Sequence, residues 1–353
     1  MAKSKKRIAV NTRFLIEGKL EGIGLFTYET LKIITAKHPE IDFYFLFDRK
    51  YSDEFVFNKN VYPVVLFPPA RHPLLWYWWF EVSVSGWLNA NKPHLFLSTD
   101  AFACLSTQVP QVLVIHDLAH EHFDDHVYGL THWYYKHFMP RFAKVAKRIA
   151  TVSKYSKNDI IQRYGITPEM IDVVYNGAKE VYKPLDETTK KKVKTKYSMG
   201  RDYFVYVGSI HPRKNVKNLL LAFDKFKEES GSEMKLLIAG RKAWDYGDVE
   251  DAHDDMKFKD HVLFLGHVPP KELGEIVASA FAMVYVSLFE GFGIPIVEAM
   301  GCSVPVISSN TSSMPEVVGD AGLLVNPKSV TEIAEAMNKL NADFDLRKSL
   351  VEK

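Results

Sequence analysis

The chain has 353 residues, enough for two domains and too long for one ordinary core. Its 47% hydrophobic and 25% charged content is ordinary for a globular protein, and a formal net charge of +2 argues against nucleic acid as a partner. Cys104 and Cys302 make no disulfide framework, the basic start lacks a signal-peptide core, and no apolar run is long enough to span a bilayer, so a cytoplasmic setting is expected.

Residues 7–10 read as a strand, and Glu21-Gly22-Ile23-Gly24 then opens a helix with Leu25, Tyr28, Leu31 and Ile34 on one stripe. Strand-length apolar runs follow at 42–47 and 61–67, then a helical segment at about 73–90 carrying Trp76, Trp78, Trp79 and Trp87. Residues 94–98 and 111–117 are further strands, the second ending in His116-Asp117. A helix from about Tyr128 to residue 146, a strand at 148–153, a helix at 154–164 and a strand at 171–176 complete a first domain, placed at 1–177. Continuous apolar strands alternating with helices predict a parallel sheet covered on both faces.

Residues 178–200 are polar and lysine-rich, and read as a hinge followed by a linker helix with a solvated cationic face. The alternation restarts in a second domain at 201–353, with strands at 203–208, 235–239 (ending in Gly240-Arg241-Lys242), 261–265, 282–287, 305–308 and 322–325. The fold class is therefore α/β, two Rossmann-like domains with parallel sheets facing across a cleft. Ligands of such sheets sit beyond the carboxyl ends of the strands, which directs attention to the residues there.

Four strand-end clusters carry chemistry. Gly22-Ile23-Gly24 stands at a helix N-terminus, without the GxGxxG of a dinucleotide site. His116 is open to two readings, a packed histidine or a functional one. In Ser209-Ile-His-Pro-Arg213-Lys214-Asn215, a fork-like cation and a point-charge cation follow a strand and precede a helix, placed to meet phosphate oxygens. In Glu290-Gly291-Phe292-Gly293-Ile294-Pro-Ile-Val-Glu298, a glycine-bearing turn enters a helix with proline in its first turn, an anion-binding arrangement flanked by two carboxylates. Cations and a helix N-terminus suit a diphosphate, and carboxylates suit hydroxyls: together they suggest a nucleotide-sugar.

That last element resembles the E-x7-E motif of the GT4 (glycosyl transferase group 1) family, retaining glycosyltransferases of the GT-B type. The resemblance continues in Ala299-Met300, Pro305-Val306, Ser313-Met-Pro-Glu316, Gly319-Asp-Ala-Gly322, Tyr206-Val-Gly-Ser209, Val174-Tyr-Asn-Gly177, Thr151-Val-Ser153 and His116-Asp117. It implies a metal-independent hexosyltransferase, of mannose or glucose type, that takes a GDP- or UDP-sugar as substrate, uses no cofactor and glycosylates a glycan or lipid-linked acceptor in cell-surface polysaccharide synthesis. By that resemblance Arg213 and Lys214 neutralise the leaving diphosphate and Glu298 holds the ribose. Glu290 with Gly291, Phe292, Gly293 and Ile294 would meet donor sugar and phosphate, and His116 would lie near the transferred sugar. Gly24 belongs to the loop facing the phosphates. Ser209 stands where some members carry a further arginine, and the helix that in relatives crosses back from the C-terminus reads as missing or short.

Rival readings are weighed on residues. His122 and His126 have i, i+4 spacing, but no HExxH is present and no metal is expected. The tryptophan-rich segment has almost no cation for a membrane-surface anchor, so packing is its expected role, although relatives leave room for peripheral contact at the inner face of the membrane. A non-catalytic nucleotide-sugar-binding protein is the alternative function. A glycoside hydrolase would not need the cations, and a nicotinamide oxidoreductase would need the missing fingerprint.

Overall fold

Two parallel sheets, one in each of two units, Met1–Val174 and Tyr175–Lys353, organise the chain in a computed structural model. The structure describes residues 5–20, 22–123, 129–241 and 247–353; Glu21, His126, Tyr128 and Lys242 lie outside them.

The first unit contains β1 (Lys6–Asn11), β2 (Ile41–Phe47), β3 (Val61–Val65), β4 (Leu95–Ser98), β5 (Gln111–Ile115), β6 (Arg148–Thr151) and β7 (Ile171–Val173). They lie in the order β3-β2-β1-β4-β5-β6-β7, every pair parallel. Phe43, Phe45 and Phe47 of β2 cluster with Leu31 and Phe55, and a second cluster holds Trp79, Phe80, Phe102, Tyr134 and Phe142. Both faces being covered explains why these strands read as unbroken apolar runs. The helix Lys154–Tyr164 shows how local sequence sets its own limits: Ser153 Oγ accepts from the Ser156 N–H at 3.0 Å, and Gly165 ends the helix at φ 66°.

The second unit contains β8 (Tyr203–Val207), β9 (Lys235–Ala239), β10 (Val262–Gly266), β11 (Ala282–Tyr285), β12 (Val306–Ser309) and β13 (Gly322–Val325), ordered β10-β9-β8-β11-β12-β13. All five residues of β8 are buried. The lysine-rich helix spans Glu187–Ser198, and Lys190, Lys194 and Lys196 pair with Glu187, Asp202 and Glu272. The polar stretch before it belongs to the second unit and packs on its helices: a Cβ on Gly301 would come 3.1 Å from the Tyr182 carbonyl, and one on Gly274 would come 2.9 Å from that of Val181.

Both sheets change direction at an equivalent place. In the first, β1 neighbours β4; in the second, β8 neighbours β11. Chain order reverses there, leaving a crevice beyond the strand ends where loops diverge.

Candidate active site

In the second unit the loops after β8 and β11 meet at that crevice. Pro212–Lys214 forms a single 3-10 turn, started by His211, whose Nδ1 accepts from the Arg213 N–H at 3.2 Å. Asn215 follows at φ 60° and donates to the carbonyls of Val286 at 2.9 Å and Pro327 at 2.7 Å. The Leu288 N–H donates to the Arg213 carbonyl at 2.8 Å, so the two loops are joined by backbone as well as side chains.

Glu290, Arg213 and Lys214 come together. Lys214 Nζ donates to Glu290 Oε1 at 2.6 Å and to the Tyr285 hydroxyl at 3.0 Å. The Tyr285 hydroxyl donates to the same Oε1 at 2.8 Å. An Arg213 guanidinium nitrogen lies 2.8 Å from the Phe289 carbonyl and 3.4 Å from Glu290 Oε2. Glu290 is buried, which by itself raises its pKa; the charges of Lys214 and Arg213 outweigh burial and bring it down to about 2. The carboxylate is therefore charged, and its first partners are the two cations.

The glycine turn is clamped from the loop after β12. Ser312 Oγ accepts from the Glu290 N–H at 3.1 Å, and the Ser313 hydroxyl lies 2.9 Å from the Glu290 carbonyl and 3.1 Å from that of Phe292. Gly293 sits at φ 96°, a conformation costly for any residue with a Cβ, and caps the helix Ile294–Gly301. Pro295 occupies the first turn, and the dipole of the helix points at the loop that carries Gly291 and Phe292. Ser209 is exposed, and its carbonyl accepts from the Tyr206 hydroxyl at 3.1 Å.

Glu298 lies inside that helix, buried, with Tyr182 as hydrogen-bond partner and Lys179 as a favourable charge. Burial raises its pKa to about 7, and Lys179 and Tyr182 offset only part of that. The two glutamates of one motif are thus pushed in opposite directions.

In the first unit His116 follows β5, and its Nε2 lies 2.9 Å from the Thr99 carbonyl. A carbonyl can only accept, which puts the proton on Nε2 and leaves Nδ1 a bare acceptor. Burial lowers the pKa of His116, so the ring is neutral, and Phe26 packs edge-on against it at 4.8 Å. Gly24 lies in the first turn of the helix Ile23–Lys37, where a Cβ would come 2.6 Å from the Phe14 carbonyl. Close backbone approach is reason enough for a glycine there.

Sequence reasoning passed over a buried ion pair at the crevice beside His116. Arg13 Nε donates to Asp100 Oδ2 at 2.5 Å, and Asn11 Nδ2 donates to Asp100 Oδ1 at 2.8 Å and to Ser98 Oγ at 3.0 Å. The Arg13 guanidinium lies 4.1 Å from the Phe102 ring centroid and 5.2 Å from that of Phe80. Tyr285, Ser313, Lys179 and Tyr182 were also missed. A polar residue directly after β1 or β4 was the available signal for Arg13 and Asp100. The histidine-rich stretch is tied up in pairs, His122 Nε2 with Asp159 at 2.8 Å and His120 Nε2 with the Tyr164 hydroxyl at 3.0 Å. Among the described residues no three histidines, cysteines or carboxylates gather as a metal site.

Two family models match, Glycosyltransferase Family 4 over residues 21–180 and Glycosyl transferases group 1 over residues 187–353. The chain belongs to the GT4-type glycosyltransferases. This glycosyltransferase is 35% identical over 190 residues to O-antigen chain mannosyltransferase B of Escherichia coli, a match covering 54% of this chain and 50% of that protein. It is 28% identical to the O-antigen chain mannosyltransferase RfbU of Salmonella typhimurium, over 94% of this chain and 95% of that one. Its fold resembles that of WaaG, a glycosyltransferase involved in lipopolysaccharide biosynthesis, with a TM-score of 0.76, 15% identity and coverage of 98% and 93%. Anabaena Alr3699/HepE, solved in complex with UDP-glucose, aligns at a TM-score of 0.75 with 18% identity, covering 98% of this chain and 92% of that one.

Proposed function

We propose that this glycosyltransferase moves a hexose, of mannose type, from a nucleotide-diphosphate sugar to a growing glycan or a lipid-linked glycan in cell-surface polysaccharide synthesis. The mannosyltransferase names of its relatives support the sugar, and their O-antigen names support the acceptor class. The observation that carries the reading is the Lys214–Glu290–Arg213 cluster beside a helix N-terminus at the β8/β11 crevice. Such a site can stabilise negative charge as it develops on a leaving diphosphate, which is where the transition state needs it.

In this reading Arg213, Lys214 and the backbone of Phe292 to Ile294 take the diphosphate. Glu298 accepts from a ribose hydroxyl, and Glu290, while fixing the cations, offers its remaining lone pairs to the sugar. His116, neutral with Nδ1 bare, accepts from a hydroxyl of the transferred sugar. Retention fits the family, with a diphosphate oxygen taking the acceptor's proton. A GDP- or UDP-sugar is the expected donor, and the cytoplasm is where such donors are met.

Thermal shift against GDP, UDP and ADP tests the donor site, since specific binding raises the melting temperature by mass action. One of them is expected to stabilise the protein clearly, and sugar release from the matching nucleotide-mannose should follow. No shift with any nucleotide at millimolar concentration would sink the reading.

A further inference from the structure

The last residue of β11 carries a hydroxyl to which the proposed donor site gives no task. Tyr285 is buried, and its ring stacks on Tyr206 of β8 with centroids 6.0 Å apart and planes 16° from parallel. A Cβ on Gly293 would come 3.7 Å from the ring, so the tyrosine also lies against the cap of the helix Ile294–Gly301. Its backbone is held by strand pairing: Tyr285 is in register with Ser308, whose hydroxyl donates to the Tyr285 carbonyl at 2.9 Å. Packed in this way, the ring keeps its oxygen at a fixed point.

That oxygen closes a triangle with Lys214 Nζ and Glu290 Oε1, whose sides are 3.0, 2.6 and 2.8 Å. The direction of each hydrogen bond is forced. An ammonium can only donate and an ionised carboxylate can only accept, so the hydroxyl accepts from the lysine and gives its one proton to Glu290. Burial and the Glu290 charge raise the pKa of Tyr285, which keeps that proton in place. A lysine ends in a rotor on a flexible stem, unlike the rigid fork of Arg213. One acceptor would tether the ammonium; two fix its position and its rotation together. Because both acceptors lie on one side of the nitrogen, the third N–H points away from them.

We propose that Tyr285 is a positioning residue for transfer: its hydroxyl sets the Lys214 ammonium so that one N–H is aimed at the leaving diphosphate. This role rests on Lys214 taking the diphosphate, as inferred above. Glu290 supplies the charge that keeps Lys214 at the crevice, and Tyr285 supplies the direction. The diphosphate gains negative charge as the sugar departs, so an aimed N–H is worth more in the transition state than to the intact nucleotide-sugar.

Tyr285→Phe keeps the ring and removes the oxygen. Sugar release is followed from GDP-mannose, UDP-glucose or ADP-glucose, whichever matches the nucleotide that stabilises the wild type. The kcat is expected to fall about 10–100-fold, with KM changed less than about threefold. Melting should drop by about 2–4 °C, as for one lost hydrogen bond. Affinity for the matching nucleoside diphosphate should fall about fivefold in Tyr285→Phe. A tyrosine that acts through the lysine has nothing to add once the lysine is gone, so Lys214→Ala with Tyr285→Phe should bind within about twofold of Lys214→Ala alone. Unchanged kcat in Tyr285→Phe overturns the proposal. So does a loss confined to KM, an additive loss in the double variant, or a fall in melting of more than about 10 °C, each of which would make the tyrosine merely structural. A wild type that answers to no nucleotide would instead bring down the donor reading itself, and this role with it.

Discussion

Lys214 Nζ stands 2.6 Å from Glu290 Oε1, although 76 residues separate the two in the chain. Each restrains the other. The lysine keeps a buried carboxylate ionised, and the carboxylate holds the cation at the mouth of the β8/β11 crevice. Lys214→Ala is therefore expected to cost about 3 kcal/mol of stability, since it leaves the buried carboxylate with the Tyr285 hydroxyl and, as its remaining cation, Arg213 at 3.4 Å. It should also abolish measurable transfer. Adding Glu290→Gln to Lys214→Ala should recover much of the stability and none of the turnover. Denaturant melts and a transfer assay on both singles and the double separate the two effects; a fully stable single mutant would refute the coupling.

The opposed glutamates predict the pH dependence of the ligand-free protein. An unfolded glutamate releases its proton near pH 4.5, whereas Glu298 holds it until about 7. Between those values the folded state binds the extra proton, so the contribution of Glu298 is fully present below about pH 4.5 and is lost as pH rises through 7, on the order of 3 kcal/mol. Glu290 acts in the other direction: its contribution is present above about pH 4.5 and lost as pH falls toward 2. Glu298→Gln should flatten the stability profile between pH 5 and 7. A profile with the same slope in that variant would remove Glu298 as its source.

Gly240→Ala probes the loop that carries the cations. A Cβ at Gly240 would come 1.7 Å from the Gly208 carbonyl, so backbone, rather than a pliable side chain, must move. A loss of about 3 kcal/mol or more is expected, together with weaker nucleotide binding as residues 208–215 shift. Wild-type melting in this variant would contradict the close packing of the two loops.

In the first unit, Asp100→Ala leaves Arg13 buried among aromatic rings without its carboxylate. About 3–5 kcal/mol should be lost, because desolvation of the arginine remains and its compensation does not. Arg13→Met is expected to be milder than Asp100→Ala, since the Asp100 it leaves behind keeps hydrogen bonds from Asn11, the Ser98 hydroxyl and the Phe102 N–H, whereas Asp100→Ala leaves Arg13 among aromatic rings. Urea melts rank the two; the reverse order would show that the ion pair is not what stabilises this crevice.

How much of this was legible in the chain varied with the range of the physics. Strands such as Tyr203–Val207 declared themselves because burial on both faces demands unbroken apolar residues. The helix Lys154–Tyr164 carried its cap and its stop in the sequence. Met314–Val318 read as a turn, since five residues around a proline have no helical period; burial of Met314 and Val318 is what makes it helical. The helices Gly247–Asp254 and Phe344–Glu352 were likewise too short and polar to stand out.

The site divided along the same line. Arg213, Lys214, Glu290 and Glu298 could be singled out because strand-end cations and a glycine turn have local signatures. Their mutual pairing could not, nor could the reach of Lys179 and Tyr182 to Glu298 from a stretch that reads as linker. Arg13 and Asp100 meet only because β1 and β4 are neighbours in the sheet, a fact of topology rather than of spacing.

The buried Glu290 has a kinetic consequence. A cluster made of two cations alone would grip a nucleoside diphosphate tightly before and after transfer. If Lys214 and Arg213 take the diphosphate as proposed, the permanent internal anion that already engages both gives the spent nucleotide a competitor inside the protein. Such a site gives up some ground-state affinity and gains faster product departure, so the enzyme would cycle rather than stall on its own by-product.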